Sequence, residues 1–210
     1  MIAEARLGLG CTHRQHPSRR ELITIVIDTP PLSAKDAHAL LSASSDHTST
    51  GLRNRALVAL LWRVGLRPGE ALTVRAAEVD GANGVITLPS RQAGLDRLAA
   101  RVIVAWTHRR AELGLNSDGP FISTLAGNPL SQAYVRELLP RLAERAGLTV
   151  RVHAMGLRYA CAAEMGQEGI LSEVIQAQLG VHPASAIGRY LPRADLAEMV
   201  RAMQARPIPA

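Results

Sequence analysis

Apolar residues recur at helical spacing along most of this chain. Leu57, Leu60, Leu61 and Val64 follow the i, i+3, i+4, i+7 pattern, which predicts a helix from about Leu52 into Gly65. Ser33 is a suitable N-cap for an earlier helix. The same criteria predict further helices over residues 34–41, 102–113, 131–142 with a kink at Pro140, 155–166 and 171–179, and a last helix striped by Leu196, Met199, Val200 and Met203.

One segment has the character of a strand. Val85 to Leu88 is a short run rich in β-branched and apolar residues, and the turn signal Asn83-Gly84 precedes it. We expect this strand to pair with residues near Arg101 to Val104, forming a small hairpin or sheet. The pattern therefore predicts an α+β fold that is mainly helical.

Length and composition favour one domain of ordinary size. The chain has 210 residues, of which 47% are hydrophobic, enough to build a core. We interpret residues 1–30 as a tail or linker remnant, residues 31–205 as the domain, and residues 206–210 as a frayed C-terminal tail. No apolar run approaches the length of a membrane span, so we expect a cytoplasmic protein with no membrane partner. Cys11 and Cys161 are the two cysteines, and we read them as reduced thiols; no ligand spacing predicts a metal site.

The charge balance points towards a polyanionic partner. The formal net charge is +6 and the isoelectric point is near 10.3. Lys35 is the only lysine. Arginine holds phosphate oxygens in a planar fork, but it does not release its proton near neutral pH.

Two arginines and a tyrosine are candidates for phosphodiester chemistry. Attack on a DNA phosphate requires an oxygen nucleophile, donors that neutralise the non-bridging oxygens, and an acid that protonates the departing 5′ oxygen. Arg67 and Arg158 suit the second task, since a guanidinium can hold two phosphate oxygens, and Tyr190 suits the first.

The segments around these residues resemble the tyrosine recombinase family, also called phage-type integrases, from about Pro31 to Pro192. The motifs that carry the resemblance are Gly51-Leu52-Arg53-Asn54-Arg55-Ala56-Leu57, Gly65-Leu66-Arg67-Pro68-Gly69-Glu70-Ala71-Leu72, Gly156-Leu157-Arg158-Tyr159, Ile175-Gln176-Ala177-Gln178-Leu179-Gly180 and Arg189-Tyr190. The resemblance implies a helical catalytic domain with a small antiparallel sheet. It also implies cleavage of double-stranded DNA through a 3′-phosphotyrosyl intermediate, without metal, nucleotide or other cofactor. Self-association on DNA is a further expectation.

Carried over by position, the resemblance makes Arg67 and Arg158 the phosphate-clamping arginines and Tyr190 the nucleophile. Glu70 would orient the first arginine; the alternative for Glu70 is a charge at a helix N-terminus with no catalytic part. Arg53, Arg55 and Arg151 are candidates for contacts with DNA phosphates, and the alternative for each is a solvated surface arginine.

Three positions depart from the family pattern. Met155 and Val181 stand where histidines, or tryptophan for the second, are expected, and Arg91 is the nearest basic residue to the expected hairpin lysine. Methionine and valine cannot transfer protons, and arginine is a poor general acid. His153 and His182 lie one or two residues from the altered positions and are the alternative proton carriers, although such a shift turns a helical side chain by roughly 100° to 200°.

Two functional hypotheses follow from this sequence. The first is a recombinase or integrase that cuts and rejoins DNA, with impaired activity. The second is a catalytically inactive DNA-binding or interaction module derived from a recombinase. Because only about thirty unpatterned residues precede Pro31, we expect weak DNA binding with strong salt dependence.

Overall fold

This computed structural model describes residues 32–181 and 196–208, and within them the chain is mainly helical, as predicted. In chain order the elements are α1 (Ala34–Ser42), α2 (Ser49–Trp62), α3 (Pro68–Thr73), a 3₁₀ turn (Ala76–Glu78), β1 (Val79–Asp80), β2 (Val85–Leu88), β3 (Arg91–Gly94), α4 (Arg97–Glu112), α5 (Gln132–Arg145), α6 (Ala154–Gln167), α7 (Ser172–Leu179) and α8 (Leu196–Gln204).

Polar side chains start several of these helices. The Ser33 hydroxyl accepts a hydrogen bond from the Asp36 N–H, which confirms the predicted N-cap of α1. Asp96 caps α4 by accepting from the Ala99 N–H at 2.6 Å, so this helix begins earlier than the apolar spacing predicts. Helix α5 continues through Pro140.

Helix α2 is the centre of the core. The predicted stripe of Leu57, Leu60 and Leu61 is buried, and all the remaining residues from 56 to 66 are buried as well. The helix packs against α1, α4 and α6, so it is covered on more sides than an amphipathic surface helix. The carboxyl end of α2 is therefore held in place by the core, and it positions the residues that follow it.

The sheet has three antiparallel strands in the order β1-β2-β3. The predicted strand Val85–Leu88 is present, but its predicted partner is wrong, because residues 101–104 lie inside α4. Instead β2 pairs with β3, with Leu88 opposite Arg91 and Val85 opposite Gly94, and β1 pairs with the other edge of β2. The two-residue turn at 89–90 returns the chain directly and sets this register.

The last described segment is docked onto the core. Helix α8 packs on β3 and α7, and the predicted stripe residues Met199 and Met203 are 4% and 0% exposed. The expectation of a frayed tail from residue 206 is wrong for Arg206, which is 3% exposed. Its Nε lies 2.6 Å from Glu168 and its Nη2 lies 3.4 Å from Glu164.

Arg206 completes a buried ionic cluster. Arg63, which is 0% exposed, pairs with Asp96 and, at 2.8 Å, with Glu164. Burial raises the pKa of the Glu164 carboxyl, against the opposing effects of a hydrogen bond from Trp62 and the nearby arginine charges. The cluster joins α2, α4, α6 and the segment after α8 through charged hydrogen bonds.

Among residues 32–181 and 196–208, no helix has the length and apolar character that crossing a membrane requires.

Candidate phosphate-binding site

Arg67 lies at the junction between α2 and α3. Gly65 has φ +73°, a left-handed conformation that lets the chain turn away from the end of α2. Pro68 then opens α3, and the Glu70 carboxylate accepts from the Arg67 N–H at 2.8 Å, which fixes the first turn. The Arg67 side chain is 53% exposed, and its Nη2 donates to the Gly180 carbonyl at 3.2 Å.

Arg158 reaches the same region from α6. It is 5% exposed, and its two terminal nitrogens donate to the carbonyl oxygens of Gly65 and, at 2.7 Å, Leu179. Burial lowers the pKa of this guanidinium, partly offset by the Glu70 charge. Arg158 therefore supplies a buried, fixed cation that bonds to the carbonyl next to the one bound by Arg67.

Arg91 extends from β3 towards Glu70. Its Nη1 and Nη2 lie 2.5 Å and 3.0 Å from the two Glu70 oxygens, and its Nε donates to the Gln178 carbonyl at 3.1 Å. Burial alone would raise the pKa of Glu70, but the hydrogen bonds from Arg91 and from the Arg67 N–H, with both positive charges, lower it below its usual value. Glu70 therefore remains ionised and bridges the two arginines.

The three arginines meet at the carboxyl end of α7. The consecutive carbonyl oxygens of residues 178, 179 and 180 accept hydrogen bonds from Arg91, Arg158 and Arg67, respectively. A helix carboxyl end carries partial negative charge and leaves its last carbonyls without helical partners, so cations are favoured there. We call Arg67, Arg91 and Arg158 the arginine cluster; with one Glu70 charge among them, it suits an anion that presents several oxygens.

Gly180 permits this convergence. It ends α7 in a left-handed conformation with φ +61°, and a Cβ there would lie 2.7 Å from the Cδ and Nη1 atoms of Arg91. Any side chain at this position would strain the backbone and displace Arg91.

The substituted positions provide no proton carrier. Met155 lies in the first turn of α6 and is half-buried, whereas Val181 is 44% exposed just beyond α7. The His153 Nδ1 accepts from the Gly156 N–H at 3.0 Å, so this imidazole caps α6. Tyr190 and His182 lie outside the described residues.

Two of the three arginines predicted to contact DNA have internal partners. Arg53 is 5% exposed, and its Nη2 donates to Asn54 at 3.0 Å and also to the Tyr134 hydroxyl, so its prediction as a surface phosphate contact is wrong. The Arg55 Nη1 donates to two carbonyls near the end of α1, at 3.3 Å and 3.1 Å, which ties that nitrogen to the fold. Arg151 is exposed, and its phosphate contact stays a prediction.

Sequence reasoning missed the part that Gln178 takes in this region. Its side chain is 0% exposed, on a helix where Val174 and Leu179 are also buried. A polar residue on an otherwise apolar helix face was the available signal, since such a side chain requires internal hydrogen-bond partners.

No group of three or more histidine, cysteine, aspartate or glutamate side chains suited to a metal ion occurs in residues 32–181 and 196–208. We therefore assign no metal ligands within these ranges.

Comparison with known proteins identifies the family. Residues 31–195 match the phage integrase family, and the chain belongs to it. The chain is 29% identical over 157 residues to the tyrosine recombinase XerD of Ralstonia nicotianae, a match that covers 71% of this chain and 51% of the relative. It is 27% identical over 157 residues to the type 1 fimbriae regulatory protein FimE of Escherichia coli K12, covering 71% of this chain and 78% of FimE.

Solved structures confirm the predicted fold. The XerA recombinase superposes with a TM-score of 0.66 at 22% identity, covering 87% of this chain and 69% of XerA. The catalytic core of lambda integrase superposes with a TM-score of 0.53 at 17% identity, covering 71% of this chain and 94% of that core. The chain spans about half the length of the XerD and XerC relatives that it matches.

Proposed function

We propose that this chain binds double-stranded DNA with a backbone phosphate at the arginine cluster and carries out slow strand transfer from Tyr190. In the chemical step, the tyrosine oxygen attacks the phosphorus and the bond to the 5′ oxygen breaks. The products are a 3′-phosphotyrosyl bond and a free 5′ hydroxyl once that oxygen has gained a proton. The convergence of Arg67, Arg158 and Arg91 at one helix end carries the proposal.

The cluster has the properties that phosphate binding requires. Arg67 is half-exposed; its Nη2 is held by one main-chain carbonyl, while its Nη1 lies 3.8 Å from Glu70, so a phosphate oxygen can approach Nη1. Arg158 is held by two carbonyls and is already desolvated, which strengthens its interaction with an incoming anion. The Glu70 carboxylate pairs with Arg91 at 2.5 Å and lies 3.8 Å from Arg67, so it links these two arginines.

Proton transfer is the weak part of this chemistry. The tyrosine hydroxyl must lose a proton and the 5′ oxygen must gain one, and neither Met155 nor Val181 can serve. Each missing acid or base typically costs about 10²- to 10⁴-fold in rate, without simple multiplication within one site. These two residues favour a second candidate function, a DNA-binding module that does not cleave.

The relatives support DNA as the partner. XerD is a tyrosine recombinase by name, and the solved XerH recombinase, with a TM-score of 0.60 at 23% identity, is bound to its difH substrate. We extend the proposal to self-association on DNA, to action in the cytoplasm, and to chemistry without a cofactor. A phosphotyrosyl bond keeps the energy of the phosphodiester, so rejoining requires no nucleotide.

Salt-dependent binding tests the phosphate site. Fluorescence anisotropy with a labelled duplex over a series of salt concentrations yields the slope of log K against log salt. The magnitude of this slope decreases by about 0.9 for each phosphate that the protein no longer neutralises, and we expect this decrease in Arg67→Ala. Arg109→Ala is the matched control, because Arg109 pairs with Glu112 at 3.1 Å on the last turn of α4. Equal slopes for Arg67→Ala and the control would place the bound phosphate elsewhere.

Covalent trapping tests the chemistry. Nicked duplexes with a randomised centre avoid the need for a known target, and denaturing electrophoresis detects a protein–DNA adduct that Tyr190→Phe should lack. The triple variant Met155→His, Val181→His and Arg91→Lys should form more adduct than the natural chain. Adduct in the triple variant alone would favour the non-cleaving module, and adduct in Tyr190→Phe would refute the assigned nucleophile.

A further inference from the structure

Gln178 uses its whole side-chain amide inside the protein. Its Oε1 accepts from the Gly94 N–H at 2.9 Å, and its Nε2 donates to the Val64 and Gly94 carbonyls, each at 3.0 Å. The side chain is 0% exposed. A buried amide with this many good hydrogen bonds has one orientation, because any rotation leaves buried polar atoms unpaired.

The partners of this amide lie next to the arginine cluster. Val64 directly precedes the glycine whose carbonyl holds Arg158, and it lies three residues before Arg67. Gly94 ends β3, three residues after Arg91, and the main-chain carbonyl of Gln178 itself accepts from Arg91. One side chain therefore ties α7 to the end of α2 and to the last strand.

Apolar packing of α7 would not fix its carboxyl end so closely. Val174 and Leu179 bury this helix, but hydrophobic contact is non-directional and tolerates small shifts. The Gln178 hydrogen bonds fix where the last turn lies along the helix axis and how it is rotated, relative to the segments that contain Val64 and Gly94. The carbonyls of residues 178, 179 and 180 keep their positions relative to the three arginines only if that turn stays in place.

We infer that Gln178 is a positioning residue for phosphate binding. It holds the carboxyl end of α7 so that its carbonyls present Arg67, Arg91 and Arg158 together to a DNA phosphate. This inference rests on the proposed function, since it concerns the same site. Gln178 itself acts through the arginines and does not touch the phosphate.

The test substitutes glutamate for glutamine at two positions of α7. Gln178→Glu replaces the donating NH2 by an oxygen facing two carbonyls, whereas Gln176→Glu adds the same charge at a half-buried position two residues away. Urea unfolding first confirms that each variant is folded. Gln178→Asn, which is uncharged but too short to span the two segments, is used if Gln178→Glu does not fold.

The measured quantity is the salt slope of binding to the labelled duplex. We expect Gln178→Glu to lower the magnitude of the slope by about 0.9 to 1.8, the equivalent of one or two phosphates, while Gln176→Glu keeps the natural slope. We also expect Arg67→Ala to lower the slope less in the Gln178→Glu background than in the natural chain, because the two changes disrupt one arrangement.

Three results would overturn the inference. A folded position-178 variant with the natural slope, or with an effect that simply adds to that of Arg67→Ala, would show that Gln178 only stabilises the fold. If Arg67→Ala itself leaves the slope unchanged, the proposed phosphate site fails first, and the positioning role fails with it.

Discussion

Replacing Arg206 by methionine should destabilise the fold by about 3–5 kcal/mol, the usual cost of removing one partner from a buried ion pair. Methionine keeps most of the apolar length of the side chain, so the loss is in charge and hydrogen bonding. Arg206 donates to Glu168 at 2.6 Å, to Glu164 at 3.4 Å and to the Arg63 carbonyl at 3.1 Å. In the variant Arg63 still pairs with Asp96 and Glu164, but Glu168 loses its bonds to Arg206.

Urea unfolding followed by circular dichroism measures this cost through the midpoint and the slope of the transition. In a thermal scan the same destabilisation should lower the melting temperature by about 6–20 °C, at about 2–4 °C per kcal/mol for a domain of this size. Arg201→Met is the matched control, because Arg201 is an exposed arginine on the last turn of α8. The control should stay within about 0.5 kcal/mol of the natural protein.

The pH dependence separates charge from packing. Burial raises the pKa of Glu164, so the folded state takes up a proton at a higher pH than the unfolded state does. The substitution removes a cation and so raises the pKa of Glu164 further. The difference in free energy of unfolding between the natural protein and the variant should therefore shrink as the pH falls towards about 4.3, the ordinary glutamate value. The buried ionic pairing would be refuted if Arg206→Met had the urea midpoint of the natural protein at neutral pH. It would also be refuted if the loss of unfolding free energy in the variant did not change with acid.

Three further predictions concern individual side chains. His153→Ala should cost about 1 kcal/mol in urea unfolding through removal of the α6 cap, with an unchanged rate of adduct formation by the folded protein; a slower adduct rate would instead make this imidazole a proton carrier. The lowered pKa of Glu70 provides stability that is present above the unfolded pKa and is lost as pH falls through the folded pKa, so Glu70→Gln should flatten the urea midpoint profile below about pH 4.3. Burial raises the pKa of the Cys161 thiol to about 11, so mass mapping should find that iodoacetamide modifies it at pH 8 only in urea; modification of the folded chain would contradict its burial.

The helices could be predicted from the sequence because the signals that define them are local. Apolar spacing located α2, and Ser33 marked the start of α1, since both signals act within one or two turns. The partner of the predicted strand could not be predicted from local signals. Arg91–Gly94 lacks the β-branched residues typical of strands, whereas the β-branched residues at 102–104 belong to a helix whose packing overrides their preference.

Motif order predicted that Arg67 and Arg158 act together, and the structure places both at the end of α7, but their bonding partners depend on the folded chain. Main-chain acceptors have no signature in a sequence, and the Arg63 to Glu164 ion pair joins residues 101 positions apart. Arg63 did carry one signal, a charge inside an otherwise apolar run, which predicts a buried counter-ion without identifying it.

The acceptors that hold the arginine cluster are peptide carbonyls, and this has a consequence for how the protein can evolve. No side-chain substitution deletes a carbonyl oxygen, so side-chain mutations disturb this arrangement through Gly180, Gln178, Glu70 or the arginines themselves. Positions such as Met155 and Val181 can drift without dismantling it. Under the proposed function, phosphate binding and strand cleavage are therefore separable under selection, and a lineage can lose cleavage while it keeps the phosphate site.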